Sequence, residues 1–241
     1  MLLSVENLRV RYRNGALGVT DSSLRVDAGK IVALFGANGA GKTTTLRAIG
    51  GFLKTEGARA IEGRVVFDGT DITNWEPHRT AALGIATVVE RRKIFANLTV
   101  RDNLLALGAK QLGANRSRKL ERVFDLFPIL KEKLGQPAGR LSGGQQQMLA
   151  VSRGLMCDPK FLMIDEVTLG LHPSMHPILY DAIRSIADEG AAVLVVDESA
   201  ASALKVVDYC YLLAGGHLRD EGEPAKFQGA ELLAAGYVGD E

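Results

Sequence analysis

Only two of the 241 residues are cysteine and only one is tryptophan. Two thiols cannot build a disulfide framework. Cys157 follows the helical run LAVSRGLM and Cys210 lies within VVDYCYLLA, so both read as small buried hydrophobes in a reducing compartment. Long apolar runs are also missing, and none approaches the roughly 18 residues that a membrane-spanning helix needs. The opening MLLSVENLRVRYR lacks the charged-then-apolar layout of a secretory leader. An excess of one charge is absent as well. With 29 basic and 28 acidic residues the net charge is +1, which gives no whole-molecule reason to expect nucleic acid or an acidic membrane as partner. Repeats and low-complexity tracts do not occur. What remains, 46% hydrophobic and 24% charged, is the composition of one large globular domain or of one domain with an inserted lobe. A cytoplasmic chain without a span of its own is expected, held at a membrane only by another protein.

The pattern along the chain is α/β. LLSVENLRVRYR and LGVTDSSLRVDAG alternate apolar and polar residues, as antiparallel strands do. GKIVALFG (29–36) reads as a buried strand, and KTTTLRAIGGF begins a helix that Gly50 and Gly51 can end. GRVVFDG (63–69) and IATVVE (85–90) read as further strands. Residues 98–157 carry apolar residues at helical spacing with almost no strand signal, which suggests a helical lobe inserted into a core formed by 1–97 and 158–241. FLMIDE, a helix near 174–188, AVLVVDE, a short helix near 200–207 and YCYLLA then restore the alternation.

GANGAGKT at 36–43 fits G-x-x-x-x-G-K-[ST] between a buried strand and a helix start. Gly36, Gly39 and Gly41 let several backbone N–H groups turn toward phosphate oxygens. Lys42 adds a fixed positive charge, the Thr43 hydroxyl suits Mg²⁺, and the helix start presents its positive dipole end to the same anion. Asn38, within the loop, and Thr44, just after it, complete the expected nucleotide-binding set. The loop points to a nucleoside triphosphate, yet GTPases, kinases, helicases and transport ATPases all carry it.

LSGGQQQ at 141–147 narrows the class. Ser142 is a natural helix N-cap, and Gly143 and Gly144 let an anion approach the exposed N–H groups. Together with the phosphate loop and FLMIDE, this stretch resembles the signature motif of the ABC (ATP-binding cassette) ATPases. Along nearly the whole chain, GANGAGKT is similar to that family's Walker A loop, LSGGQQQ to its signature and FLMIDE to its Walker B strand. Tyr12 stands where the family has an aromatic that stacks on adenine. The resemblance implies a P-loop NTPase core with an N-terminal antiparallel β segment and an inserted helical lobe. It also implies a head-to-tail dimer in which each ATP lies between one chain's phosphate loop and Ser142 and Gly144 of the other.

GANGAGKTT, VVERRKIFANLTVRDNL, LSGGQQQMLAVSRGLM and EVTLGLHP look most like the ATP-binding subunits of branched-chain amino-acid importers, the shorter of two paired types. Glu90 stands where most of the wider family has a glutamine that reaches Mg²⁺ and the attacking water and senses the permease. That subfamily often has Pro-Glu-Gly-Arg there, and VVERR keeps the glutamate and one arginine but not the proline and glycine.

Two strands end in paired acids, Asp165-Glu166 and Asp197-Glu198. By order along the chain the first pair matches Walker B, which implies Asp165 as a holder of Mg²⁺ and Glu166 as the group that orients and deprotonates water. The second pair ends the next strand. Glu198 there occupies the position where many relatives have a histidine bonded to the γ-phosphate, and a carboxylate facing that phosphate is repulsive unless protonated, metal-bridged or turned away. Val167 replaces a usual proline. His172 stands where many relatives have aspartate, and it reads as a turn cap before Pro173.

The resemblance therefore implies an ATPase, with ATP and Mg²⁺ as cofactors, that energises uptake of branched-chain amino acids or a related small polar solute. Permease subunits and a second ATPase subunit, self or sister, are the implied partners, at the cytoplasmic face of the inner membrane. Two alternatives stay open. One is a nucleotide-gated subunit with weak hydrolysis, suggested by Glu198 and His172. The other is a soluble ATPase not tied to transport, which would call for the tandem cassettes, long insertions or basic arms that are missing here.

Overall fold

A computed structural model describes residues 1–89, 94–106, 115–197 and 200–228. Glu90 and Glu198 lie outside the described residues. The buried centre consists of β3 (Ile31–Phe35), β6 (Ile85–Val88), β7 (Phe161–Asp165), β8 (Ala192–Asp197) and β9 (Tyr209–Ala214). These run parallel in the order β9-β3-β8-β7-β6. Every residue of β3, β7 and β8 is buried, and their sequences are apolar up to the closing Asp165 and Asp197, as expected of strands covered on both faces.

β1 (Leu3–Tyr12), β2 (Leu17–Val26), β4 (Ala58–Phe67) and the two-residue β5 (Thr70–Asp71) add antiparallel strands on one side. β10 (His217–Gly222) joins β9 to β2 and makes one ten-stranded sheet. β4 is longer than the GRVVFDG stretch predicts. Its first half, ARAIE, buries only Ala58 and Ala60, whose small side chains give little apolar signal.

The two faces carry two cores. Val32 and Leu34 face a core shared with the antiparallel strands and α1 (Lys42–Gly50). Ile31, Ala33 and Phe35 face the other, built from α7 (Met175–Asp188) and the helices between β6 and β7. Those helices are α3 (Val100–Leu105), α4 (Arg116–Leu126), α5 (Pro128–Glu132) and α6 (Gly143–Leu155); α2 (Pro77–Ala82) precedes β6 and α8 (Ala200–Ala203) follows β8. The expected helix near 200–207 is shorter because the chain turns after Ala203, where Val206 and Val207 both donate their N–H to the Ala203 carbonyl. Cys210 is buried as expected. Cys157 is not: α6 ends two residues earlier, which leaves Cys157 exposed at the rim of a groove.

Asp208 ties three elements together. One carboxylate oxygen accepts from the Ile31 N–H at 2.8 Å and from Arg184 of α7 at 2.9 Å, while the other accepts from Lys30 at 3.1 Å. Burial raises its pKa, but those donors outweigh it and hold the carboxyl below its ordinary value. A lowered folded-state pKa contributes stability above the unfolded value of about 3.9 and loses it as pH falls through the lower folded value. Asp208→Ala is therefore expected to reduce unfolding stability by about 2 kcal/mol at neutral pH. In urea titrations the gap from wild type should close as pH drops below ~4. A gap that ignores pH would show that the charge is not what stabilises the junction.

Candidate functional site

The register of the parallel strands decides where the polar groups collect. Phe35 pairs with Asp197 and Asp165 pairs with Val196, so β3, β7 and β8 end at one level. Ligands of open parallel sheets bind at such carboxyl edges, where loops leave adjacent strands. The phosphate loop leaves β3 there, Asp165 and Glu166 stand at the end of β7, and Asp197 ends β8.

Gly36 can be nothing larger, because a Cβ on it would stand 2.2 Å from the Leu213 carbonyl oxygen. Asn38 and Gly39 form the exposed crest, and Gly41 in the left-handed region (φ 104°) leads into α1. Lys42 is 5% exposed, and its ammonium donates to the carbonyls of Gly36 at 2.6 Å and Ala37 at 3.1 Å. The cation thus braces the loop from within. Thr44 is buried and shares a hydrogen bond of 2.9 Å with the Tyr12 hydroxyl, so Tyr12 reaches from the end of β1 to the first turn of α1. Its ring lies over Gly18, where a Cβ would meet it at 2.6 Å.

Thr43 and Asp165 line one cavity of about 260 Å³ together with Thr87, Arg47 and Glu56. Asp165 is 4% exposed. One hydroxyl and one carboxylate are hard oxygen donors, and no group of three or more His, Cys, Asp or Glu able to hold a metal occurs among the described residues. Such a set fits Mg²⁺, which keeps waters and takes phosphate oxygens rather than sitting in an all-protein cage.

Glu166 has φ 51°, a left-handed conformation that a residue with a Cβ seldom adopts, and its N–H donates to the Val196 carbonyl at 2.8 Å. The sharp turn separates the paired acids: Asp165 ends inside the sheet, while Glu166 is half-buried at the edge. Val167 then dives into the core, fully buried.

Asp197 behaves differently from Asp165. It is 4% exposed and accepts from the Thr168 hydroxyl at 2.7 Å and from Tyr180 of α7 at 3.4 Å. Burial, and then the adjacent Asp197 charge, push the Tyr180 phenol well above its usual range, so it stays a donor. The end of β8 is thereby fastened to the loop that follows Glu166. Sequence reading missed Thr168 and Tyr180. The one available signal was a tyrosine on the apolar face of α7, which must find a partner once buried. His172 caps its turn, with Nδ1 2.9 Å from the Ser174 hydroxyl.

Ser142 makes a complete capping box with Gln145: its hydroxyl accepts from the Gln145 N–H at 3.4 Å, and its own N–H donates to the Gln145 side chain at 3.2 Å. Gly144 is buried against Met175, where a Cβ would meet the Met175 methyl at 2.8 Å. Among the described residues no hydrogen bond joins Ser142 or Gly144 to the phosphate loop, so one chain holds two separate helix starts. Between α6 and the β6 region runs a groove of about 540 Å³, lined by Val88, Val89, Arg153 and Cys157. The Arg153 guanidinium sits 4.4 Å above the ring of Phe95, which is 49% exposed.

Comparison with known proteins agrees with this geometry. Residues 19–169 match the family described as ABC transporter. The chain is 38% identical over 198 residues to the high-affinity branched-chain amino acid transport ATP-binding protein BraG of Pseudomonas aeruginosa, covering 82% of this chain and 83% of that protein. It is 32% identical over 248 residues to the lipopolysaccharide export system ATP-binding protein LptB of Escherichia coli K12, covering 99% and 98%. A nucleotide-free ATP-binding cassette from an ABC transporter superposes with a TM-score of 0.84 over 99% of each chain, at 26% identity. The chain belongs to the ABC transporter family as one of its ATP-binding domains and is an ATPase of that family.

Proposed function

We propose that this chain is the ATP-hydrolysing subunit of an importer for branched-chain amino acids or a related small polar solute. The observation that carries the ATPase chemistry is the meeting of Thr43 and Asp165 on one cavity beside the half-buried Glu166. The similarity to BraG supports the class of cargo. A second reading, the motor of a lipopolysaccharide exporter, is favoured by the match to LptB over almost the whole chain. Assembly of the purified chain with its own permease subunits decides between them. Stimulation of ATPase activity by the permease, with uptake of labelled leucine into proteoliposomes, supports the importer. Extraction of lipopolysaccharide instead of uptake supports the exporter, and no stimulation by the permease removes both.

In this reading the N–H groups of 36–44 cradle the ATP phosphates, Lys42 turns from its own loop carbonyls to the β- and γ-phosphates, and Tyr12 offers its ring to the base. Mg²⁺, held by Thr43 and Asp165, would neutralise charge on the phosphate oxygens. Glu166 takes the proton of the attacking water. Ser142 and Gly144 would close over the nucleotide of a second subunit, which explains two phosphate-suited helix starts that do not meet within one chain. Glu90 and Glu198 keep their proposed places, beside water and phosphate, from sequence order alone. The α6 groove would receive the permease at the cytoplasmic membrane face, with coupling running through the helical lobe of 98–157. No helix among the described residues is long and apolar enough to cross a membrane.

Glu166→Gln should cut single-turnover hydrolysis about 10³-fold while leaving ATP affinity within a few-fold. Equal loss of affinity would assign Glu166 to binding instead. Thr168→Val, which removes the donor to Asp197, should slow hydrolysis about tenfold through misplacement of the neighbouring Glu166. Thr168→Ser should restore the rate. Affinity for a fluorescent ATP analogue, measured in parallel, should stay unchanged in both variants.

A further inference from the structure

At the end of β1, Tyr12 and its neighbours Arg11 and Arg13 together border a second cavity. This one measures about 520 Å³ and is lined by Arg11, Tyr12, Arg13, Arg59 and Lys54, with Ile61 and Asn74 among the walls. No carboxylate lines it. Its charges are arranged unlike those in the rest of the same strand pair. Further along, each arginine of β1 and β4 meets an acid on the opposite strand: Arg9 lies 3.2 Å from Glu62, and Arg64 lies 2.6 Å from Glu6. At the cavity the register places Arg11 directly opposite Arg59. Like charges directly opposite in an antiparallel pair are destabilising.

Neither Arg11, Arg59 nor Arg13 has an acidic partner among the described residues. Lys54 is neutralised by Glu76 at 2.7 Å. Arg13 is also held in place. Its N–H donates to the Gly57 carbonyl at 2.8 Å, and its stem lies over Gly57, where a Cβ would come within 3.4 Å of its Cδ. Three exposed guanidiniums therefore line one concave surface with no acidic partner among the described residues, in a chain whose overall balance is close to neutral. Planar guanidinium forks match phosphate oxygens two at a time.

We propose that this cavity is a second anion site, separate from the phosphate loop, which takes a phosphorylated ligand through Arg11, Arg13 and Arg59. Its volume suits a nucleotide-sized molecule or a lipid headgroup, and both present the same phosphate chemistry. The site stands whether the transporter imports or exports: it borders the nucleotide site at Tyr12, but its three arginines are none of the groups assigned to ATP.

The test titrates inorganic pyrophosphate into the purified full chain by calorimetry, with ADP saturating the phosphate loop, and repeats the titration on the Lys42→Ala chain without ADP. A binding event that survives both conditions, weakens with added salt and falls at least tenfold in Arg11→Gln/Arg59→Gln supports the site. Arg11→Glu/Arg59→Glu should abolish it. Thermal melting monitors folding of each variant, and the milder pair keeps the test valid if charge reversal unfolds the chain. Co-sedimentation with phosphatidylglycerol vesicles, against phosphatidylcholine vesicles as control, separates the sources. Sedimentation lost in the same variants identifies a lipid headgroup; pyrophosphate binding without sedimentation identifies a soluble phosphate ligand. Absence of both, or pyrophosphate binding that disappears with ADP or Lys42→Ala and survives the arginine substitutions, overturns the proposal.

Discussion

The structure depends on the in-register alignment of three parallel strands that are buried on both faces. β3, β7 and β8 end at one level because Phe35 pairs with Asp197 and Asp165 with Val196. A shift of one residue would turn their apolar side chains from one core to the other and would also move the phosphate loop out of step with Asp165. The two cores therefore enforce a register that the site uses. The placing of Thr43 and Asp165 on one cavity is a by-product of hydrophobic packing on both sides of the sheet.

On that frame, two devices hold polar groups in conformations they would not choose alone. The phosphate loop folds around the Lys42 ammonium, which satisfies carbonyls that the tight turn leaves pointing inward. Glu166 sits in the left-handed region, kept there by the Val196 carbonyl on one side and by burial of Val167 on the other. Strain of this kind persists only where surrounding packing over-determines it. The Asp197–Thr168–Tyr180 group supplies part of that determination, since it anchors the loop beyond Val167 to the neighbouring strand. The two acidic pairs, alike in sequence, thus serve different ends. The first presents a carboxylate to a cavity, and the first acid of the second pair is consumed in fastening the first pair's loop.

Much of this was legible beforehand. GANGAGKT, LSGGQQQ and FLMIDE are local motifs whose physics is contained in adjacent residues: glycine turns, a capping box, an apolar strand ended by acids. Ser142 and Gln145 form the expected cap because both partners lie within one helical turn. The burial of β3 and β8 followed from apolar runs alone. Cys157 was misread because helix periodicity locates a face but not the end of the helix, and the residue falls just past it. The first half of β4 was missed because alanines at alternate positions carry little hydrophobic contrast.

Local sequence thus determined the element types, the loop chemistry and the family likeness, since each rests on contacts within a few residues. Tertiary structure alone decided which acids face a cavity and which face a partner, and that Arg11 lies opposite Arg59 while Arg9 lies opposite Glu62. Such pairings join residues tens of positions apart. They are set by strand order and register, which arise from the packing of whole faces and which no window of neighbouring residues contains.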